Sequence, residues 1–260
     1  MRSLTRVDFS LVVLVMVLAL LGGGIWQMAR AFPDAGKGLV IYASEQKDLF
    51  VDAGLVRESY HVRGTSGLAE RLREQTVIVA TRISPHTAYM GAGVVLSTQH
   101  GRIKILTARH IIAHAGRKFV IFPDHTERRA LRVIPSKTHD LALVYVEAVP
   151  LTDYPAVRLA KDTFETGQQF IVMGHPGAKS WTASPGLAER HLYTTLLFCP
   201  TCDRGDSGAG AFDRSGMLHG IVVSKAIMRA PSSKTGEYIK LTAFEIEQPE
   251  AIRAFLRTAR

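Results

Sequence analysis

A serine, a histidine and a carboxylate brought together can cleave an acyl bond, and this chain offers a candidate for each. Gly205-Asp206-Ser207-Gly208 sets a serine in a glycine-flanked turn. A serine hydroxyl is a weak nucleophile until a base takes its proton and donors stabilise the oxyanion that forms. The glycines let the backbone turn sharply, so that the N–H groups of Gly205 and Ser207 can point at one spot. Without partners the tetrapeptide is an ordinary Asp-Ser turn. His110 closes Thr107-Ala108-Arg109-His110, directly after the apolar run Ile103 to Leu106, where a strand ends and a loop begins. A lone histidine there is usually a surface or satisfied residue. Asp140 opens Asp140-Leu141-Ala142-Leu143-Val144, and alone it reads as a strand-start cap.

The elements that must position these residues are strands. Thr76 to Thr81 is short and rich in β-branched residues, as a buried strand should be. Gly93 to Ser97, Ile103 to Thr107, Phe119 to Phe122, Leu131 to Ile134 and Leu141 to Val146 follow, separated by turn residues. Gln169 to Met173, Leu192 to Leu197, Met217 to Val223 and Tyr238 to Thr242 come later. Short strands with almost no helix between them predict all-β barrels rather than a parallel sheet. One helix closes the chain, with Pro249 in its first turn and Ile252, Phe255 and Leu256 forming an apolar stripe.

Composition narrows the function classes. The chain has 260 residues, 47% of them apolar, with 32 Lys+Arg against 23 Asp+Glu and a net charge of +9. That apolar content excludes a disordered chain, and two cysteines exclude a four-thiolate metal or iron–sulfur site. The positive surplus is not gathered into one run, so it reads as a solvated surface, and no nucleic acid partner is expected. No cofactor and no metal site are predicted. Residues 9–29 carry no charge and are long enough to cross a bilayer as a helix. Their densest part runs only from Phe9 to Leu21 before Gly22-Gly23-Gly24, so a cleaved signal or a buried core helix stays open. The preferred reading assigns 1–30 to a membrane anchor with the remainder outside the cytoplasm, and to a secreted chain if that segment is cleaved. Residues 31–75 read as a glycine-containing tether with one short helix, Leu68 to Glu74.

In the order His110, Asp140, Ser207, the three residues resemble the trypsin-like (chymotrypsin-fold) serine proteases. Gly91-Ala92-Gly93-Val94-Val95 resembles that family's small-residue strand before the histidine, and Leu218 to Ser224 its substrate-pairing strand. The spacings, 30 residues from His110 to Asp140 and 67 from Asp140 to Ser207, are compact, as in HtrA-type bacterial proteases. Gly174-His175-Pro176-Gly177 resembles an HtrA-type turn. The resemblance implies two six-stranded antiparallel barrels, 76–152 and 153–246, followed by the helix at 247–260. It implies Ser207 as nucleophile, His110 as base and then acid, and Asp140 as the group that orients the imidazole. Gly205 and Ser207 would supply the oxyanion hole. Thr201, Val222, Val223, Ser224 and Lys225 would contact a polypeptide substrate. The activity implied is that of a serine endopeptidase; a catalytically silent protease fold that binds peptides or a partner chain is the alternative.

The chain departs from the family pattern in places. No Ile-Val-Gly-Gly start stands near residue 76, so Asp206 needs a partner other than a new N-terminus. The 53 residues after Ser207 are too few for a PDZ domain. Arg109 replaces a small or polar residue and is expected to point to solvent, and His139 is expected on the exposed face opposite Asp140. Cys199-Pro200-Thr201-Cys202 precedes the nucleophile and allows three readings: a disulfide stiffening the pocket wall, two free thiols, or a zinc site with His175 or His191. The resemblance implies that Pro200, Thr201 or Cys202 lies at the pocket base, none of them an acid, and that Lys225 narrows the rim. A preference for small apolar P1 residues is expected, unless Asp203 turns inward to serve a basic one.

Overall fold

The computed structural model describes residues 67–259 except 85–86, 149–153, 191–193, 200 and 232–237, with side chains also left aside at 84, 87, 227–231 and 238–242. The expected anchor and nearly all of the tether therefore lie outside the described residues. Among those described, no helix is long and apolar enough to cross a membrane.

The β-branched run at residue 76 becomes β1 (Thr76–Ser84), which folds back on β2 (Thr87–Gln99) with Thr76 opposite Val94 and Ala80 opposite Met90. His100 and Gly101, both at positive φ (52° and 71°), then turn the chain into β3 (Arg102–Ala108). That backbone matches the twist a tight hairpin needs. Strand β4 (Arg117–Ile121) joins the free side of β1, and β7 (Leu141–Glu147) joins β3. Between them, β5 (Glu127–Arg129) pairs with β4 and β6 (Arg132–Pro135) pairs with β7. Only Ala130 and Leu131 separate β5 from β6, so the two act as one bent strand that closes a six-stranded barrel.

The second barrel is built from β9 (Gln169–Gly174), β10 (Thr182–Arg190), β11 (Thr195–Phe198), β12 (Gly210–Phe212), β13 (Met217–Pro231) and β14 (Tyr238–Glu247). Their order is β12-β9-β10-β11-β14-β13, and a β12–β13 pairing closes the ring. A two-residue strand, β8 (Arg158–Leu159), lies parallel to β13 as the one non-antiparallel pairing among the described residues.

Each barrel has its own core, and a third apolar cluster spans both. Val77, Val79, Ile103, Ile105 and Val144 fill the first barrel, and Phe164, Phe170, Leu197, Val222 and Phe244 the second. Ile78, Val94, Leu106 and Leu143 of the first barrel meet Met173, Phe212, Leu218 and Ile252 from the second half of the chain. Strands buried on both faces explain why β1 and β7 read as unbroken apolar runs without alternation. Hydrogen bonds cross the same seam, from Trp181 Nε1 to Thr76 O (2.9 Å) and from Val157 N to Val95 O (2.8 Å).

Among the described residues, three α-helices accompany the barrels. The C-terminal α3 (Pro249–Thr258) buries Ile252 and Phe255, as its apolar stripe predicts. The one-turn α2 (Arg109–Ile112) stands where the sequence suggests a loop. The short helix expected in the tether, α1 (Gly67–Glu74), instead buries Ala69 and Leu72 in the cluster between the barrels. Thr76 Oγ1 donates to Leu72 O (2.8 Å), so the packed unit starts before residue 76.

Candidate active site

Strand β3 ends at Ala108 and the chain winds straight into α2, where Ile111 and Ile112 are buried. Thr81 Oγ1 donates to Ile111 O (2.9 Å), which fixes the turn. His110 is projected outward, its side chain 44% exposed. Its backbone N–H donates to Asp140 Oδ1 (2.9 Å), and its Nδ1 lies 2.6 Å from Asp140 Oδ2. One carboxylate thus grips the ring and the backbone of the same residue. With the Nδ1 proton donated to it, Nε2 is left as an acceptor, the state that can take a proton from a hydroxyl.

The loop carrying Asp140 is tightly held. Ser136 Oγ accepts the N–H groups of Thr138 (3.3 Å) and His139 (3.2 Å), and the Asp140 N–H donates to Glu247 Oε1 (2.8 Å). His139 does not stand free, as expected from strand alternation. It is half-buried with Nδ1 3.1 Å from Glu247 Oε2, because residues 137–140 form a bend before β7, where strand alternation does not apply and the second barrel supplies a carboxylate. Arg109 also departs from expectation: it is half-buried, and its Nη1 donates to Ser136 O (3.1 Å), a carbonyl within its reach.

Ser207 is pinned through its backbone to the first barrel. Its carbonyl accepts the Ala92 N–H (2.7 Å), and Thr107 Oγ1 donates to Ala92 O (2.6 Å). A side chain at Gly91 would meet Ser207 O at 2.6 Å, and one at Gly208, with φ +84°, would meet Ala92 O at 2.0 Å. The small residues at 91–93 are therefore the seat of the Ser207 loop. That seat lies beside the end of β3, whose continuation carries His110. Among the described residues no hydrogen bond joins Ser207 Oγ to His110, and such contacts in ligand-free sites often tighten only with substrate bound. The N–H groups of Gly205 and Ser207 likewise donate to no other described group.

The loop's outer side rests on the turn Pro176–Ala178. Gly205, at φ +105°, approaches His175 O so closely that a Cβ would lie 2.2 Å away, and the Gly177 N–H donates to Arg204 O (2.8 Å). His175 Nδ1 accepts the Trp181 N–H (2.9 Å) while Nε2 faces Val77 O (3.3 Å). Burial pushes its pKa down to about 4, so the ring is neutral. Both nitrogens are occupied, which leaves none for zinc. His191, the other histidine of that reading, lies outside the described residues, as does Pro200. Cys199 and Cys202 instead form a disulfide (Cα–Cα 5.4 Å) packed against Phe164, Ala209 and Val222.

Asp206 is buried, and burial raises its pKa to about 7 despite the nearby N–H groups of Asp203 and His175. Its partner is the Asp203 amide, which donates to Oδ2 (3.0 Å), while Oδ1 has no hydrogen-bond partner. Of the residues expected to touch substrate, Thr201, Ser224 and Lys225 are exposed and Val223 is half-buried. Val222 is buried, its N–H donating to Ala209 O (2.9 Å) and its carbonyl accepting the Gly208 N–H (2.7 Å). Lys225 Nζ stands 3.5 Å from Asp203 Oδ1. Glu247, the acid behind Asp140, carries no local sequence signal; only its approach from the second barrel reveals it.

A family profile described as the trypsin-like peptidase domain matches residues 91–221. The chain is 26% identical over 194 residues to serine protease Rv3671c of Mycobacterium tuberculosis (strain ATCC 25618 / H37Rv), covering 66% of this chain and 45% of that one. It thus spans about half the length of that relative. The fold is similar to that of the M. tuberculosis Rv3671c protease in its active form (TM-score 0.58, 20% identity, 74% of this chain and 84% of that one). It is also similar to a serine endoprotease from Yersinia pestis (TM-score 0.56, 24% identity, 75% and 66%) and to the HtrA-type protease AlgW with tripeptide (TM-score 0.56, 22% identity, 74% and 62%).

Proposed function

Because the chain belongs to the trypsin-like peptidase family, we propose that it is a membrane-tethered serine endopeptidase. The observation that carries the reading is the two-point grip of Asp140 on His110 beside a backbone-pinned Ser207. Ser207 Oγ attacks the scissile carbonyl and His110 Nε2 takes its proton, later giving it to the leaving amine. Asp140 holds the imidazole tautomer and stabilises the imidazolium. The unengaged N–H groups of Gly205 and Ser207 receive the oxyanion. Water then releases the acyl group by the same proton transfers in reverse.

Substrate pairing along β13 starts at Val223, since both backbone groups of Val222 serve the nucleophile loop. The Lys225–Asp203 pair at the rim supports a small apolar P1 residue, because it holds Asp203 away from a pocket-base role. The uncharged segment 9–29 tethers the domain, and the Cys199–Cys202 disulfide suits an oxidising compartment outside the cytoplasm. A serine-directed phosphonate should label the wild type and not Ser207→Ala. Ser207→Ala and His110→Ala should each lower kcat at least about a thousandfold, with the double variant little worse, since the triad acts as a unit. A wild type that neither takes the label nor cleaves an unfolded protein would shift the assignment to a peptide-binding module.

A further inference from the structure

Building on the protease reading, we propose that Glu247 is a positioning residue that holds the triad acid in place from the second barrel. Most clamps on the Asp140 loop come from the first barrel: Ser136 Oγ on two amides, the Ser136 N–H on Leu141 O (2.8 Å), and Arg109 Nη1 on Ser136 O. The Asp140 amide is different. It donates across the seam to Glu247 Oε1 (2.8 Å), whose side chain is only 18% exposed. The second carboxylate oxygen meets His139 Nδ1 (3.1 Å), so the same group holds two consecutive residues of the loop.

Glu247 is itself well anchored. It is the last residue of β14, opposite Ile221 of β13, and two residues later Pro249 opens α3. Next to Ile221, the carbonyl of Val222 accepts the Gly208 N–H directly behind the nucleophile. One carboxylate therefore ties the acid of the first barrel to the strand that supports the serine loop of the second. A hydrogen bond from an amide to a carboxylate is charge-assisted and short, which suits it to fixing position. Without it the Asp140 carbonyl still accepts the Arg109 N–H (3.1 Å), but its amide has no partner, so the residue can pivot about that bond and its paired contacts with His110 loosen.

The test uses the full chain with Glu247→Ala, Glu247→Gln and Glu247→Asp. Glutamine keeps an acceptor for the Asp140 amide and a donor for His139, whereas alanine keeps neither and aspartate is one methylene short. Misplacement by about 1 Å near the chemistry can cost about a hundredfold, so Glu247→Ala should lower kcat about ten- to hundredfold with KM changed less than about twofold. Glu247→Gln should recover kcat to within about threefold of wild type. The low-field proton resonance of His110 Nδ1–H supplies a readout that needs no turnover. It should be sharp in wild type and Glu247→Gln and broadened or lost in Glu247→Ala. If the alanine variant does not fold, Glu247→Asp should show the same loss of kcat and resonance. Wild-type kcat together with an unchanged resonance in the alanine or aspartate variant would overturn the assignment. A wild type without activity would remove the protease reading alone, and the resonance would still decide whether Glu247 positions Asp140.

Discussion

Two buried titratable side chains stand at the Ser207 loop, Asp206 within it and His175 against it, and burial moves them in opposite directions. The Asp206 carboxyl is raised from 3.8 to about 7 and the His175 imidazole lowered from 6.5 to about 4. Asp206 binds its proton more tightly folded than unfolded, so its stabilisation is complete below its unfolded value and is lost as pH rises through about 7. His175 does the reverse: its contribution is present above its unfolded value and is lost as pH falls through about 4. Between those limits the two slopes oppose, and the wild-type melting temperature should be nearly flat. Asp206→Asn leaves His175 alone, so its melting temperature should climb between about pH 4.5 and 6.5. The variant should gain on wild type above about pH 7, by an amount on the order of a few kcal/mol. Melting curves across this range check the prediction, and parallel profiles for the two proteins would contradict it.

At the scale of elements, strand β13 and the loop before Ser207, proposed to contact substrate, carry two further predictions. Lys225 on β13 reaches Asp203 on the loop before the nucleophile, and both side chains are about half exposed. So open a pair contributes little to stability, but in the proposed reading it stands at the mouth of the P1 pocket. Lys225→Gly should widen cleavage from small apolar P1 residues to larger ones in a peptide library, whereas dominant wild-type cutting after Lys or Arg would mean that Asp203 serves the pocket. The disulfide closes a ring of only four residues, so losing it should cost about 2 kcal/mol by chain entropy. Reduction, or Cys199→Ser with Cys202→Ser, should lower the rate of phosphonate labelling more than it lowers stability, because the ring leads directly into Gly205. The same elements show what was legible in advance. The runs of β1, β3 and β7 announce themselves by β-branched content, and His110, Asp140 and Ser207 by their places at strand ends and in a glycine-flanked turn. Strand β10 escapes notice because Ser184-Pro185-Gly186 reads as a turn. Pro185 is tolerated because β11 pairs only from Leu187 onward, leaving one neighbour at the proline. Gly186 is required because a Cβ there would lie 2.2 Å from Phe198 O. Neither fact is local. The half-burial of Arg109 and His139 is illegible for the same reason: Ser136 O and Glu247 reach them from other parts of the chain.

At the scale of the whole molecule, α1 joins the region leading to the proposed anchor to the two-barrel core. Leu72 is 1% exposed within the cluster shared by both barrels, and Leu68 lies beside Gly216, whose missing Cβ would sit 3.3 Å from Leu68 Cδ1. The helix also gives Thr76, the first residue of β1, its side-chain hydrogen bond. Burying one leucine is worth about 2 kcal/mol, and deleting one from a packed core typically costs about 2–5 kcal/mol because the cavity does not fully collapse. A chain beginning at residue 32 should therefore be soluble, fold and retain Ser207-dependent labelling, and one beginning at residue 66 should behave alike. A chain beginning at residue 76 loses α1 altogether, and it should melt well below both or aggregate. Equal melting temperatures for the chains starting at 66 and 76 would show α1 to be a passive part of the tether. In the same series the full-length chain should sediment with membranes and stay there in high salt, because the uncharged 21-residue segment 9–29, if it inserts as proposed, would be held by apolar burial rather than by charge. Release by salt would assign membrane attachment to the +9 surface instead, and processing after Gly24 or Ala31, visible by mass spectrometry, would make the segment a cleaved signal.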